Sequence, residues 1–228
     1  MRLTVRDTTQ LFGVSEKTLY RWVNEGKIPA YRINGQYRFA RSEVLEWAVA
    51  NRVALKPGIF LETQEETGPL PSLEEALEAG GIVYRVEGQD RDSALFNIVR
   101  NLRLPPEVDK EYVYELFRVR EMLGSTGIGD GIAIPHPRSP LIFNLPHASL
   151  TLSFLENPID FGALDEKPVF ATFTILSQTV RGHIHLISRL AHVLKDPLFR
   201  KVIREQGSRE AIIAELCRTE QAMMAKTA

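Results

Sequence analysis

Gly124-Ser125-Thr126-Gly127-Ile128-Gly129-Asp130-Gly131-Ile132-Ala133-Ile134-Pro135-His136-Pro137-Arg138 is the stretch on which the reading of this chain turns. Its four glycines make a tight turn, Ile132-Ala133-Ile134 reads as a short strand, and His136 follows between two prolines. Proline fixes its own φ and keeps the residue before it extended, so the imidazole is presented at a fixed corner. A P-loop needs Gly-Lys-Ser/Thr after its glycines, and none follows. A dinucleotide fingerprint needs a helix where this chain turns into a strand. What remains is a glycine turn feeding a strand that ends in histidine. A neutral imidazole is a good nucleophile near pH 7, which makes His136 a candidate phosphoryl acceptor.

Outward from this corner, strand-like and helix-like segments alternate. Ser72 caps a helix through Leu73, Ala76 and Leu77, Gly80-Gly81 ends it, and Ile82 to Val86 reads as a strand. Asp92 and Ser93 open a helix carrying Leu95, Ile98, Val99 and Leu102. Another helix runs from about Asp109 to Leu123, with Val113, Leu116, Phe117 and Arg120 along it. Strands are expected at 131–134, 148–155 and 168–176, and long helices at about 182–195 and 208–223. The first of these helices buries Leu186, Leu190, Val193 and Leu194. The interleaving predicts an α/β (α+β) layered domain, a mixed sheet flanked by helices, over residues 72–228.

A second pattern precedes it. Thr4-Val5-Arg6-Asp7 reads as a capping box, opening a helix that runs through Leu11 and Phe12 to Gly13. Ser15 caps a second helix, Glu16 to about Asn24, ended by Gly26. Leu19, Trp22 and Val23 share its inner face and leave Glu16, Lys17, Thr18, Tyr20 and Arg21 outward. Asn34-Gly35 between two strand-like triplets signals a hairpin, because both central residues need positive φ. The hairpin carries Arg32 and Arg38, with Arg41 beyond, and Ser42 caps a third helix through Val44, Leu45 and Trp47. Residues 1–54 therefore read as a small domain. Residues 55–71, where periodicity is lost among Pro and Gly, read as a linker to the larger one.

The net charge of −1 conceals an asymmetry: residues 1–56 carry ten Lys/Arg against five Asp/Glu, and the remainder eighteen against twenty-four. A basic module beside an acidic one suits a nucleic-acid reader attached to a sensor. No apolar run reaches roughly 18 residues and no signal-peptide core is visible, so neither membrane insertion nor export is expected. The single cysteine, Cys217, excludes an internal disulfide, fits a reducing cytoplasm and reads as an inert thiol in a late helix. His183 and His185, with His147 and His192, offer a His-x-His spacing. Positions i and i+2 of a helix face apart, however, and no cysteine or carboxylate completes a set, so no metal or other cofactor is expected.

Residues 3–48, LTVRDTTQLFGVSEKTLYRWVNEGKIPAYRINGQYRFARSEVLEWA, resemble nearly end to end the winged helix-turn-helix of the MerR and excisionase families. The resemblance implies DNA as a partner. Ser15, Lys17, Thr18, Tyr20 and Arg21 would face the major groove, with Arg32, Arg38 and Arg41 near phosphates. Phosphate contacts set affinity and salt dependence, whereas base contacts set sequence choice. Recognition helices of this kind usually read paired half-sites, which makes a homodimer the expected form.

The segment from Arg120 through Pro137, REMLGSTGIGDGIAIPHP, is similar to the active-site signature of type 2 enzyme IIA proteins of the fructose, mannitol and nitrogen-type phosphotransferase system. The resemblance covers about residues 72–225. It implies that His136 accepts a phosphoryl group from the carrier protein HPr or a nitrogen-branch homologue. It further implies that Arg120 steadies the phosphate and that His185 is the second active-site histidine. Glu121 falls where the signature has an acidic residue. A guanidinium fork grips two phosphate oxygens, and a helix N-terminus favours the added anion. One position departs from the pattern. Pro137 stands where the family more often has glycine or another small residue, and it removes an amide donor, so that either Arg138 compensates or transfer is slow.

Together these features describe a phosphotransferase-linked regulator that couples phosphorylation of His136 to DNA or partner binding, and the sequence shows no IIB or membrane IIC segment. Two other readings stay open. One is a phosphocarrier that hands its phosphate to a separate IIB. The other is a transcription factor whose IIA-like domain binds partners without phosphoryl transfer, the reading that Pro137 favours.

Overall fold

The computed structural model of the protein describes residues 2–33, 35–40, 43–44, 47–48, 51, 53, 70–137 and 145–225. The chain divides into two compact units, Met1–Gly68 and Pro69–Ala228. Most of the segment expected as a linker lies outside the described residues, as do Arg41, Ser42 and Arg138.

In the first unit, β1 (Arg2–Leu3) leads through the Thr4 cap into α1 (Val5–Phe12), where Thr4 and Asp7 form the expected capping box. Gly13 closes α1 with φ 64°, a left-handed conformation that costs glycine little. Ser15 caps α2 (Glu16–Asn24), and β2 (Tyr31–Ile33) and β3 (Gln36–Ala40) follow. The three strands form an antiparallel sheet in the order β1-β3-β2. β1 was not legible in the sequence: two residues are too short to show a period and are held by pairing with Phe39 and Ala40. Phe12, Trp22 and Trp47 meet edge-on or tilted in one cluster with centroids 4.9 to 6.0 Å apart, and Leu11, Leu19 and Phe39 are buried in the same unit.

The second unit runs α3 (Leu73–Gly80), β4 (Gly81–Val86), α4 (Arg91–Asn101), α5 (Lys110–Met122), β5 (Gly127–Gly129), β6 (Ile132–Ala133), β7 (Ser149–Ile159), β8 (Val169–Leu176), α6 (Val180–Val193), α7 (Pro197–Arg204) and α8 (Arg209–Ala225). The sheet order is β4-β7-β8-β6-β5, with β4·β7 and β6·β8 parallel and the other two pairs antiparallel. This is the mixed sheet flanked by helices expected from the sequence. Three details differ. Helix α4 begins at Arg91, because the Asp90 carboxylate accepts the Ser93 N–H at 2.8 Å and takes the cap position. Strand β7 continues past a register shift to Ile159, which accommodates Pro158 away from the ladder. Helix α7 was not expected. Asp196 caps it with Pro197 in its first turn, and it packs Phe199 against Phe173 of β8.

Helices α4 and α5 cover one face of the sheet and α3, α6, α7 and α8 the other. Leu150, Leu152, Phe154, Phe173 and Ile175 fill the second face. The first face is less apolar: Thr151, Ser153, Thr172 and Thr174 are all buried, and Ser153 and Thr172 sit opposite each other across β7 and β8. The hydroxyls of Ser153, Thr172 and Thr174 have no hydrogen-bond partner among the described residues. A buried hydroxyl left this way costs about 1–3 kcal/mol, and an apolar replacement of the same shape removes that cost. Thr172→Val is therefore expected to raise stability by about 1 kcal/mol, read as a higher urea midpoint with an unchanged slope.

Candidate functional site

Helix α5 ends at Met122 with Arg120 in its last turn, and the glycine turn follows. Gly129, Asp130 and Gly131 all take positive φ (89°, 56° and 77°) to turn β5 into β6. A Cβ at Gly131 would lie 2.5 Å from the Phe170 ring, so this tight turn also needs glycine for space. Asp130 is secured by ion pairs with Lys167 and Arg200. From β6 the chain leaves through Ile134 and Pro135 to His136, at the same end of the sheet from which β8 runs out toward α6.

His136 is only 3% exposed. Its Nδ1 lies 2.7 Å from the Ile134 carbonyl, and its Nε2 receives the Nε–H of Arg120 at 3.2 Å. A carbonyl only accepts and a guanidinium only donates. Both contacts therefore demand the same tautomer, with the proton on Nδ1 and the lone pair on Nε2. Arg120 is itself fixed by Nη1 donating to the Gly124 carbonyl at 2.9 Å. A second imidazole, His183 in the first turn of α6, lies with its centroid 5.4 Å from that of His136 and is 1% exposed. The cap of α6 is Thr179, whose side chain accepts the Gly182 N–H at 2.9 Å.

The structure thus brings Arg120 and His136 together as the sequence led us to expect, but the histidine beside them is His183 and not His185. The reason is helical geometry: residues two apart face different sides. His183 falls on the stripe of buried Leu186, Ile187 and Leu190, at i, i+3, i+4 and i+7. That stripe was visible in the sequence and selects His183. His185 instead hydrogen-bonds the backbone of Pro71. Pro137 is buried and, as proline, donates no hydrogen bond.

Burial, followed by the nearby Arg189 and Arg181 charges, pulls the His185 pKa down to about 4. Burial and Glu74 push the Cys217 thiol up to about 11, which suits an unreactive cysteine. Among the described residues no group of His, Cys, Asp and Glu is arranged to hold a metal ion. No helix among them is long and apolar enough to cross a membrane.

On the first unit, Lys17, Tyr20 and Arg21 of α2 and Arg32 of β2 are exposed. Ser15 and Thr18 are engaged with each other at the cap of α2, and Tyr20 meets the edge of Tyr37 with centroids 6.0 Å apart. Arg38 folds back onto the Tyr37 carbonyl and the Gln36 side chain.

Residues 75–218 match the family model for the phosphoenolpyruvate-dependent sugar phosphotransferase system, EIIA 2. The chain belongs to this family. Residues 2–52 match a helix-turn-helix domain. The nitrogen regulatory protein of Escherichia coli K12 is 36% identical over 142 residues, 60% of this chain and 83% of that protein. The nitrogen regulatory protein of Pseudomonas aeruginosa PAO1 is 33% identical over 143 residues, 61% of this chain and 91% of that protein. The crystal structure of nitrogen regulatory protein IIA-Ntr from Neisseria meningitidis is 29% identical with a TM-score of 0.52, covering 59% of this chain and 92% of that one.

The perturbed histidine of the enzyme IIA domain makes its stability pH-dependent. The folded His185 pKa of about 4 lies below the unfolded value of about 6.5, so the unfolded chain takes up the proton first as pH falls. This contribution is fully present above pH about 6.5 and is lost as pH falls toward 4. Allowing for solvent screening, urea denaturation is expected to show a loss of about 1–2 kcal/mol over that window. His185→Gln, which keeps a donor for Pro71, is expected to flatten this dependence.

Proposed function

We propose that this chain is a cytoplasmic phosphotransferase-linked regulator in which His136 Nε2 accepts a phosphoryl group from HPr or a nitrogen-branch homologue. The supporting observation is the double restraint on the imidazole, with Nδ1–H on the Ile134 carbonyl and the Nε2 lone pair turned to Arg120. As Nε2 attacks, the bond from phosphorus to the donor's histidine nitrogen breaks and the Nε2–P bond forms. The donor histidine keeps the electron pair of the broken bond. Positive charge that develops on the His136 ring is carried by the Nδ1–H facing Ile134. The transferring group spreads negative charge over its oxygens, where Arg120 supplies two or more N–H donors. His183 completes the wall beside the acceptor, and His185, by its placement against Pro71, serves the fold instead.

The helix-turn-helix unit is the reader in this proposal, with Lys17, Tyr20 and Arg21 toward bases and Arg32 toward phosphate, as a homodimer on paired half-sites. A phosphoryl group adds about −1.5 to −2 charge to an already acidic domain, and that change would alter DNA or partner binding, a separate IIB included.

Incubation with phosphoenolpyruvate, enzyme I and HPr is expected to add one acid-labile phosphoryl group by intact mass, lost in His136→Ala. Arg120→Ala is expected to slow the addition by roughly 100-fold. If the wild-type protein gains no phosphate from any carrier, Pro137 marks a domain that binds without chemistry. For the other unit, DNA affinity measured by anisotropy is expected to fall linearly in log–log form with salt, and Arg32→Ala to reduce that slope by about 1. A salt-independent affinity would remove DNA from the proposal.

A further inference from the structure

The reading of His136 as acceptor leaves one buried ionisable group in its surroundings without a task. Glu121 follows Arg120 in the last turn of α5 and is 3% exposed. Burying a carboxylate is costly unless its oxygens are engaged. Both are engaged, and by a single residue: Oε1 accepts the Thr126 N–H at 2.9 Å and Oε2 accepts the Thr126 hydroxyl at 2.7 Å. Two bonds to one residue fix its orientation as well as its distance.

Thr126 is in turn the residue that carries the acceptor strand. Its carbonyl accepts the Ile134 N–H at 2.9 Å, and the Ile134 carbonyl holds His136 Nδ1. On the other side, Arg120 reaches His136 Nε2 from the same helical turn that bears Glu121. The contacts close a ring, from the end of α5 through Glu121, Thr126, Ile134 and His136 back to Arg120. The covalent link across the same gap is held to α5 by the Leu123 and Gly124 N–H groups, each 3.2 Å from the Arg120 and Glu121 carbonyls respectively, and by Arg120 Nη1 on the Gly124 carbonyl, but its side chains pack little. Met122 and Leu123 are 69% and 64% exposed, and Gly124 has open space where a side chain would be. Ser125 ties the turn to the Phe161 carbonyl and so to a different part of the fold, not to α5. The carboxylate of Glu121 is therefore one of the ties that set the separation between Arg120 and His136, beside the pairing of β6 with β8.

We infer that Glu121 is a positioning residue for phosphoryl acceptance, holding Thr126 so that the Ile134 carbonyl and Arg120 meet the two nitrogens of His136 together. This rests on the phosphoryl-acceptor reading of His136. The role is one of geometry, because the peptide groups that link Thr126 to Ile134 form no continuous conjugated path. A glutamine at this position keeps an oxygen for the Thr126 N–H and offers an NH2 to the Thr126 hydroxyl, which can also accept. Alanine keeps neither.

The test compares Glu121→Ala, Glu121→Gln and Thr126→Val in the full chain, by ¹⁵N NMR of the His136 ring and by the rate of phosphorylation from HPr. The wild-type ring is expected to hold a single Nδ1–H tautomer. Glu121→Ala is expected to show mixed tautomers and a rate lower by roughly 10- to 100-fold, the scale of an ångström of misplacement. Glu121→Gln is expected to restore the single tautomer and to return the rate to within about threefold of wild type. Wild-type tautomer and rate in Glu121→Ala would overturn the inference. So would equal losses in the Ala and Gln variants with an unchanged tautomer, since charge and not position would then be responsible. If Glu121→Ala does not fold, Thr126→Val decides: a partial shift in tautomer supports the role and no shift overturns it. If the wild-type protein takes no phosphate, the acceptor reading falls, and the tautomer measurement still tests the positioning.

Discussion

The hydrogen bond from His136 Nδ1–H to the Ile134 carbonyl is the contact on which the rest of the site depends. It joins residues two apart across Pro135, whose fixed φ limits the freedom of this segment. Once the Nδ1 proton is committed to a carbonyl, Nε2 must carry the lone pair, and only then is the approach of the Arg120 guanidinium favourable. The tautomer with its proton on Nε2 would set N–H against N–H on one side and lone pair against lone pair on the other. Tautomer, ring orientation and the place of the arginine are thus a single choice. The surrounding glycines, the Asp130 turn and the pairing of β5 with β6 exist in the fold as the means of delivering that carbonyl.

Helix α6 performs two separate tasks from two faces. One face places His183 beside His136. Another carries His185 to the Pro71 backbone and Arg189 to Glu220 at 2.7 Å. Glu220 is buried and also accepts the Leu73 and Glu74 N–H groups at 3.0 and 3.3 Å, so it caps α3 from across the domain. A buried carboxylate with three donors offsets much of its desolvation, and breaking the set would strand a charge. The start of the enzyme IIA domain is therefore held by the same helix that lines its site.

Much of this was legible in the sequence because local signals and global fold agree. Thr4 with Asp7 announced a capping box and Ser72 a helix cap, and the glycine turn announced the corner that presents His136. What stayed hidden needed partners distant in sequence. β1 exists only by pairing with β3, and α7 was masked by the two longer helices on either side, although Asp196-Pro197 offered a start signal. The family resemblance points to His185, whereas the stripe of Leu186, Ile187 and Leu190 turns His183 inward. The two bonds from Thr126 to Glu121 could not be read at all, since nothing in a helical pattern says that a carboxylate at its end turns inward.

In the proposed reaction Nε2 of His136 is the reactive nitrogen, because Nδ1 is engaged by a backbone carbonyl. Phosphorylating the ¹⁵N-histidine-labelled protein and measuring which ring nitrogen couples to phosphorus tests it most directly. Phosphorus is expected on Nε2 with Nδ1 still protonated. Phosphorus on Nδ1 would contradict it, because the Ile134 contact could not then be the one that orients the ring.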